Sequence, residues 1–172
     1  EVKIKTAAGI LKCWKSGQGD NALISVDMGA PKFAENVALH GFTFSQVDVG
    51  NPHAVTFIDE KISDEKFFDV GPKVETDKTF PNKTNVEFAQ IISDDLIEVR
   101  VFERGAGETL ACGSGACAVA VAAIKNNLVK SKKITIRFKG GDLKIKWDGN
   151  SIVMTGGYTK IFEGTIDAKF LG

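Results

Sequence analysis

Apolar and polar residues alternate in short runs near both ends of the chain. Val2 to Lys5, Ile10 to Trp14 and Ala22 to Met28 follow a period of two, with a break at Ala8-Gly9 and a turn signal over Ser16 to Asn21. A period of two puts every second side chain on one face, so these runs predict three short antiparallel strands. Residues 32–46 carry a weaker pattern, with Phe42 and Phe44 marking a strand end. Val47 to Ile58 is β-branched and apolar, interrupted by Gly50-Asn51-Pro52-His53. Pro52 removes a backbone donor, which places the interruption at a strand end or bulge. Ser63 precedes a short helix to Phe68 as its N-cap, and Gly71-Pro72 is expected to stop it before a polar loop over 73–83. Two strands follow, Asn85 to Ser93 and Leu96 to Arg104, the second with Ile97, Val99 and Val101 on one face. Three more, Lys133 to Phe138, Leu143 to Trp147 and Ser151 to Thr155, complete the pattern.

One segment breaks the alternation. Ala116 to Asn126 is apolar on all sides, with no charge before Lys125. A helix of that kind has no face for water and must be enclosed. Strands around one buried helix, without alternating βαβ units, predict an α+β fold in which mixed and antiparallel strands wrap a central helix. The two ends also echo each other. Ile4, Gly9 and Leu11-Lys12-Cys13-Trp14 match Ile136, Gly141 and Leu143-Lys144-Ile145-Lys146-Trp147 at an offset of 132, and Gly29 matches Gly156 at 127. The second copy has a glycine loop and a helix ahead of its strands; the first has no counterpart within the sequence.

Charge and cysteine content narrow the function. The 22 basic and 22 acidic residues cancel, so no basic excess is available to neutralise phosphates or an anionic bilayer. Neither a nucleic-acid nor a membrane partner is expected. Ala116 to Ile124 falls far short of the ~20 residues of a membrane span, and no leading segment reads as a secretory signal. Three cysteines are too few, and odd in number, for a disulfide scaffold. A reduced, cytoplasmic protein is the expectation.

The densest chemistry is Glu103-Arg104-Gly105-Ala106-Gly107-Glu108-Thr109, followed by Ala111-Cys112-Gly113-Ser114-Gly115-Ala116-Cys117. It runs from a strand through a glycine loop to a helix N-terminus, where free N–H groups and the helix dipole favour an anion. The same field lowers the pKa of a cysteine placed there, so Cys112 is expected to be an activated thiol. The plainer alternative is that Gly-Ser-Gly caps a buried helix and Cys112 is small core packing. Cys117, inside the apolar helix, and Cys13, beside Trp14, read as structural. With two histidines and no zinc spacing, no metal site is expected. Asn51 and His53 share one face of an extended segment, and Asn85 opens a strand within Thr84-Asn85-Val86-Glu87-Phe88.

Together, Gly50-Asn51-Pro52-His53, Thr84 to Phe88 and the Glu103 to Cys117 segment resemble the diaminopimelate epimerase family, in the family's own order. The likeness runs along the whole chain but reaches only the later part of the family's length. It implies a fold of two similar halves, each wrapping a helix and each supplying one thiol. Residues 1–30 would then be strands of the first half, 31–155 the second half and 156–172 a tail returning to the first. The implied activity is cofactor-free interconversion of LL- and meso-diaminopimelate in lysine biosynthesis. Carried across, Cys112 is one acid/base thiol, with Glu103 and His53 beside the reacting centre. Asn51, Asn85, Glu103, Arg104, Gly113 and Ser114 hold the substrate, Gly113 and Ser114 at its α-carboxylate and Arg104 at the distal one. Ser114 stands where the family commonly has threonine. The opposing thiol has no counterpart here, so the chain alone is expected to be inactive or impaired. The alternatives are a related isomerase of the proline racemase type, and a non-catalytic binding or oligomerisation module. Strands left without their helix would expose apolar surface, which makes a homodimer an expectation.

Overall fold

The structure, a computed structural model, describes residues 1–6 and 9–170; the break expected at Ala8 lies outside them. The fold is mixed α+β and rich in strands. In chain order the strands are β1 (Val2–Thr6), β2 (Gly9–Ser16), β3 (Leu23–Asp27), β4 (Lys32–Phe33), β5 (Val37–Leu39), β6 (Phe42–Asp48) and β7 (Pro52–Phe57). Helix α1 (Asp64–Glu75) precedes β8 (Asn85–Ser93), β9 (Leu96–Glu103) and β10 (Gly107–Glu108). Helix α2 (Gly113–Lys125) precedes β11 (Lys133–Phe138), β12 (Gly141–Trp147) and β13 (Ile152–Gly157). The strands form one sheet in the order β1-β2-β3-β13-β12-β11-β9-β8-β7-β6-β4, with β10 on β9 and β5 on β6. Pairs β7–β8 and β9–β11 are parallel and the rest antiparallel.

Alternation assigns the two faces of the middle of the sheet to the two helices. Val86 and Phe88 join Phe67, Val70 and Val74 of α1 in one core, while Ala89, Ile97, Val99 and Val101 join α2 in the other. Helix α2 is buried from Gly115 to Ala123 and packs against β6, β7 and β8 on one side and β11, β12 and β13 on the other. It begins at Gly113, three residues before the apolar run, because the side chain of Cys112 caps it by accepting the N–H of Gly115.

Helix α1 corrects the sequence expectation. Ser63 is its N-cap, accepting the N–H of Lys66, but the helix continues through Gly71-Pro72 to Glu75. Phe67, Val70, Gly71 and Val74 form one buried stripe, and burying it outweighs the missing N–H of Pro72. Gly71 allows the approach: a Cβ there would lie 2.9–3.2 Å from the Phe102 side chain. Arg100 ties α1 to the sheet through Asp64 (2.8 Å) and Glu108 (3.0 Å), with its guanidinium 3.9 Å from the Phe67 ring centre.

The echo between the ends appears in the registers. Ile4 pairs with Leu11 and Thr6 with Gly9, just as Ile136 pairs with Leu143 and Phe138 with Gly141, each at an offset of 132. At the seam between the two patterns Asp27 faces Val153, Val26 faces Met154 and Ser25 faces Thr155; comparing the Lys12–Asp27 pair with Lys144–Thr155 gives these strands an offset of 155 − 27 = 128, where the glycines suggest 127. Burial is not symmetric. Ile134 and Ile136 are fully buried, while their counterparts Val2 and Ile4 are 62% and 48% exposed. After β13 the tail is exposed, with Lys15 Nζ 5.7 Å from the Tyr158 ring centre.

Replacing Gly71 by alanine should force α1 off Phe102 and lower stability by about 1–3 kcal/mol, an overpacking cost. Thermal unfolding of the variant checks it; an unchanged melting temperature would contradict the close packing.

Candidate active site

The chemistry-bearing residues meet at the N-terminus of α2. The parallel β7–β8 register sets His53 beside Asn85, and the antiparallel Val86–Phe102 pair leaves Asn85 next to Glu103. His53 is 1% exposed, and its Nε2 lies 3.1 Å from Asn51 Oδ1. Asn51 Nδ2 donates to Ser114 Oγ at 3.3 Å, and Ser114 Oγ lies 3.6 Å from Cys112 Sγ. A continuous polar chain therefore joins the imidazole to the sulfur.

Asn85 is 3% exposed and occupied at both ends: Nδ2 donates to the Pro52 carbonyl (2.9 Å) and Oδ1 accepts the Arg104 N–H (3.0 Å). In this arrangement it clips two site segments together. Glu103 accepts the Thr109 hydroxyl. Arg104 is exposed, with Nη1 3.2 Å from the Asn82 carbonyl. A cleft of about 670 Å³ opens on the His53 and Arg104 side of these parts, lined also by Lys32, Asp48, Asn82 and Lys83; Asn85, Glu103, Cys112 and Ser114 do not line it. Gly113 abuts Met154, whose sulfur would lie 3.1 Å from a Cβ there.

The sulfur behaves opposite to the expectation of an acidified thiol. Burial pushes Cys112 from the ordinary 9.0 up to about 11, and the facing carboxylates Glu87 and Glu103 add to the rise. The hydrogen bonds from Ser114 and the Gly115 N–H pull the other way without prevailing. Cys117, fully buried within α2, is pushed by burial up to about 12.

Two carboxylates were not singled out by the sequence reading. Glu87, fully buried, sits 2.6 Å from His53 Nδ1, and its Oε1 would be 2.8 Å from a Cβ on Gly115. It lies two residues from Asn85 on the same strand face, an acid inside the apolar run Val86 to Ala89, and that pattern was the available signal. Glu75, at the end of α1, accepts the Gly105 N–H (2.9 Å) and Lys83 Nζ (3.3 Å), anchoring the glycine loop. Among the described residues, no group of three His, Cys, Asp or Glu side chains could hold a metal ion, and no helix is long and apolar enough to cross a membrane.

The family model for diaminopimelate epimerase matches residues 45–161, which takes in the polar chain, Asn85, Glu87, Glu103 and Arg104. The chain belongs to the diaminopimelate epimerase family. It is 41% identical over 96% of its length to the diaminopimelate epimerase of Methanococcus maripaludis, 42% over 97% to that of Bacteroides thetaiotaomicron, and 36% over 98% to that of Acinetobacter baumannii. It covers 66%, 64% and 65% of those proteins, about two thirds of their length. Two solved structures share the fold: a hydroxyproline epimerase from Agrobacterium vitis (TM-score 0.66, 16% identity, 91% of this chain and 56% of that one) and a probable proline racemase from Agrobacterium radiobacter (0.68, 14%, 97% and 62%).

A pKa near 11 fixes the pH behaviour of the thiol. Alkylation at Cys112 should quicken about tenfold per pH unit from 7 towards 11, since only the thiolate reacts. A plateau below pH 8, read by peptide mass mapping, would contradict the site as described. Because folding raises this pKa, its contribution to stability is full below 9 and is lost as pH rises through about 11.

Proposed function

We propose that this chain is the thiol-bearing second half of a cofactor-independent diaminopimelate epimerase, working in lysine biosynthesis. The observation that carries the reading is the hydrogen-bonded chain from His53 through Asn51 and Ser114 to the sulfur of Cys112 at a buried helix N-terminus. Residues 31–155 form the half wrapped on α2, residues 1–30 are strands of the other half, and 156–172 lead back to it. The matching registers of β1–β2 and β11–β12 support that division, as do the uncovered Val2 and Ile4 where Ile134 and Ile136 meet α2.

Inversion at an α-carbon needs a base on one face and an acid on the other. With its pKa pushed up to about 11, Cys112 is a thiol at neutral pH and enters as the acid. Its S–H proton passes to the α-carbon as a base on the opposite face takes the original α-proton, and the C–H electron pair turns over to form the new C–H bond. Reversal exchanges the two roles. Gly115 and Ala116 donate their N–H groups to Cys112 Sγ and O, which leaves those of Gly113 and Ser114 for the substrate's α-carboxylate. Glu103 meets the α-ammonium, and Arg104, at the cleft, pairs with the distal carboxylate. Cys117 lies within the core of α2 and Cys13 in β2, so the opposing thiol comes from outside the described residues.

The purified chain should bind diaminopimelate weakly and epimerise it at less than about one thousandth of a complete family enzyme's rate, the scale of losing one acid/base group. Conversion of LL- to meso-diaminopimelate, followed by NMR, measures it, with proline as the competing substrate. Family-like rates from this chain alone would overturn the division into halves, and racemisation of proline in place of diaminopimelate would overturn the substrate.

A further inference from the structure

Asn51 is the element of the polar chain that has direction. An amide nitrogen only donates and an amide oxygen only accepts. With Nδ2 on Ser114 Oγ and Oδ1 on His53 Nε2, the imidazole must carry a hydrogen on Nε2. The Ser114 oxygen then receives from Asn51, and its own hydrogen is free for Cys112 Sγ. The other ring nitrogen, Nδ1, is 2.6 Å from Glu87 Oε1, and both side chains are fully buried. Two bare lone pairs at that separation would repel, so a second hydrogen lies between them. Glu87 Oε2 is buried with no hydrogen-bond partner, and sharing a hydrogen with the ring lowers the charge left on that orphaned oxygen.

We propose that Glu87 is a positioning residue. By donating a hydrogen to His53 Nδ1, Glu87 leaves the ring's own hydrogen on Nε2; this orients Asn51 and leaves the Ser114 hydroxyl to donate to the Cys112 sulfur. Every donor in the chain then points towards the sulfur and favours its thiolate, the form left after the proton is delivered. Turning the Asn51 amide over gives the reverse state: Nδ2 on the ring, the single ring hydrogen on Nδ1, and each donor pointing away from the sulfur. The acidic groups facing the sulfur are Glu87 and Glu103; Glu87 also meets the ring, and Lys32, Asp48, Lys83 and Arg104 line the cleft that His53 borders. The meaning for catalysis rests on the epimerase reading; the hydrogen placement does not.

Nitrogen-15 NMR of the histidine rings in the native chain tests the placement directly, with the exposed His40 as the internal reference. At neutral pH the His53 Nε2 should carry a hydrogen; a ring with a bare Nε2 and hydrogen only on Nδ1 overturns the proposal, with no variant involved. Two variants read the consequence. In Glu87→Gln the amide can still donate to Nδ1, whereas Glu87→Leu cannot. At pH 9, alkylation of Cys112 should fall about tenfold in Glu87→Leu and less than twofold in Glu87→Gln, because a lost donor raises the thiol pKa. Faster alkylation in both would mean that Glu87 acts only as a negative charge, and equal rates would mean that the direction of the chain is irrelevant; either result overturns the proposal. Correct hydrogen placement with no binding of diaminopimelate by the chain would defeat the epimerase reading alone.

Discussion

Enclosure of α2 is the constraint on which the rest depends. From Gly113 to Ile124 the helix carries no charged side chain, so water cannot face it and the sheet must. Strands from two separate stretches, β6 to β8 and β11 to β13, close against it, and the parallel pairs β7–β8 and β9–β11 arise in assembling them. Its N-terminus is the only place where this enclosed helix presents unpaired donors, so polar side chains from three strands gather there. Gly115 is the physical condition for that gathering: a methyl group on it would meet both Glu87 and the Cys112 sulfur.

Enclosure also decides the state of the sulfur. A helix N-terminus favours a nearby anion by at most about 2 kcal/mol. The rise from 9.0 to about 11 corresponds to roughly 3 kcal/mol in favour of the thiol. Desolvation, with two carboxylates facing the sulfur, therefore wins over the dipole and the two hydrogen bonds. A base would be poorly served by that outcome. An acid is well served, and the polar chain through Ser114 becomes a means of receiving the thiolate after the proton has left.

The sequence made some of this legible because local chemistry and tertiary demand agreed there. Alternation in Ile97, Val99 and Val101 named the face of β9 that meets α2, Ser63 marked the start of α1, and Pro52 marked the start of β7. The cysteine, imidazole, asparagine and hydroxyl of the polar chain were all visible as types in spaced motifs. What stayed hidden was set by contacts distant in sequence. Gly71-Pro72 looks like a helix stop until Phe102 arrives from β9 to fill the notch. Strands β4 and β5, of two and three residues, are too short for periodicity, and Gly107–Glu108 is a strand only because β9 lies beside it. Glu87 sat inside a quoted motif, yet its place beneath His53 follows from the β7–β8 pairing. The thiol shift was expected with the wrong sign because the helix field was read from sequence while burial was not.

Near symmetry at the other end of the sheet sharpens the same point. The β3–β13 seam pairs two copies of one hairpin pattern, and identical offsets run through β1–β2 and β11–β12. The registers run alike in both patterns; only the second has a helix to bury its isoleucines. A two-stranded ribbon without apolar cover is marginal in water, so β1–β2 holds its place through the seam and not through a core of its own. The candidate site draws its strands from the covered side, β7 to β9. It meets the seam at Met154 of β13, which packs on Gly113 next to the sulfur. The polar chain from Glu87 to Cys112 stands on elements already closed, and Met154 is a point at which the seam reaches them.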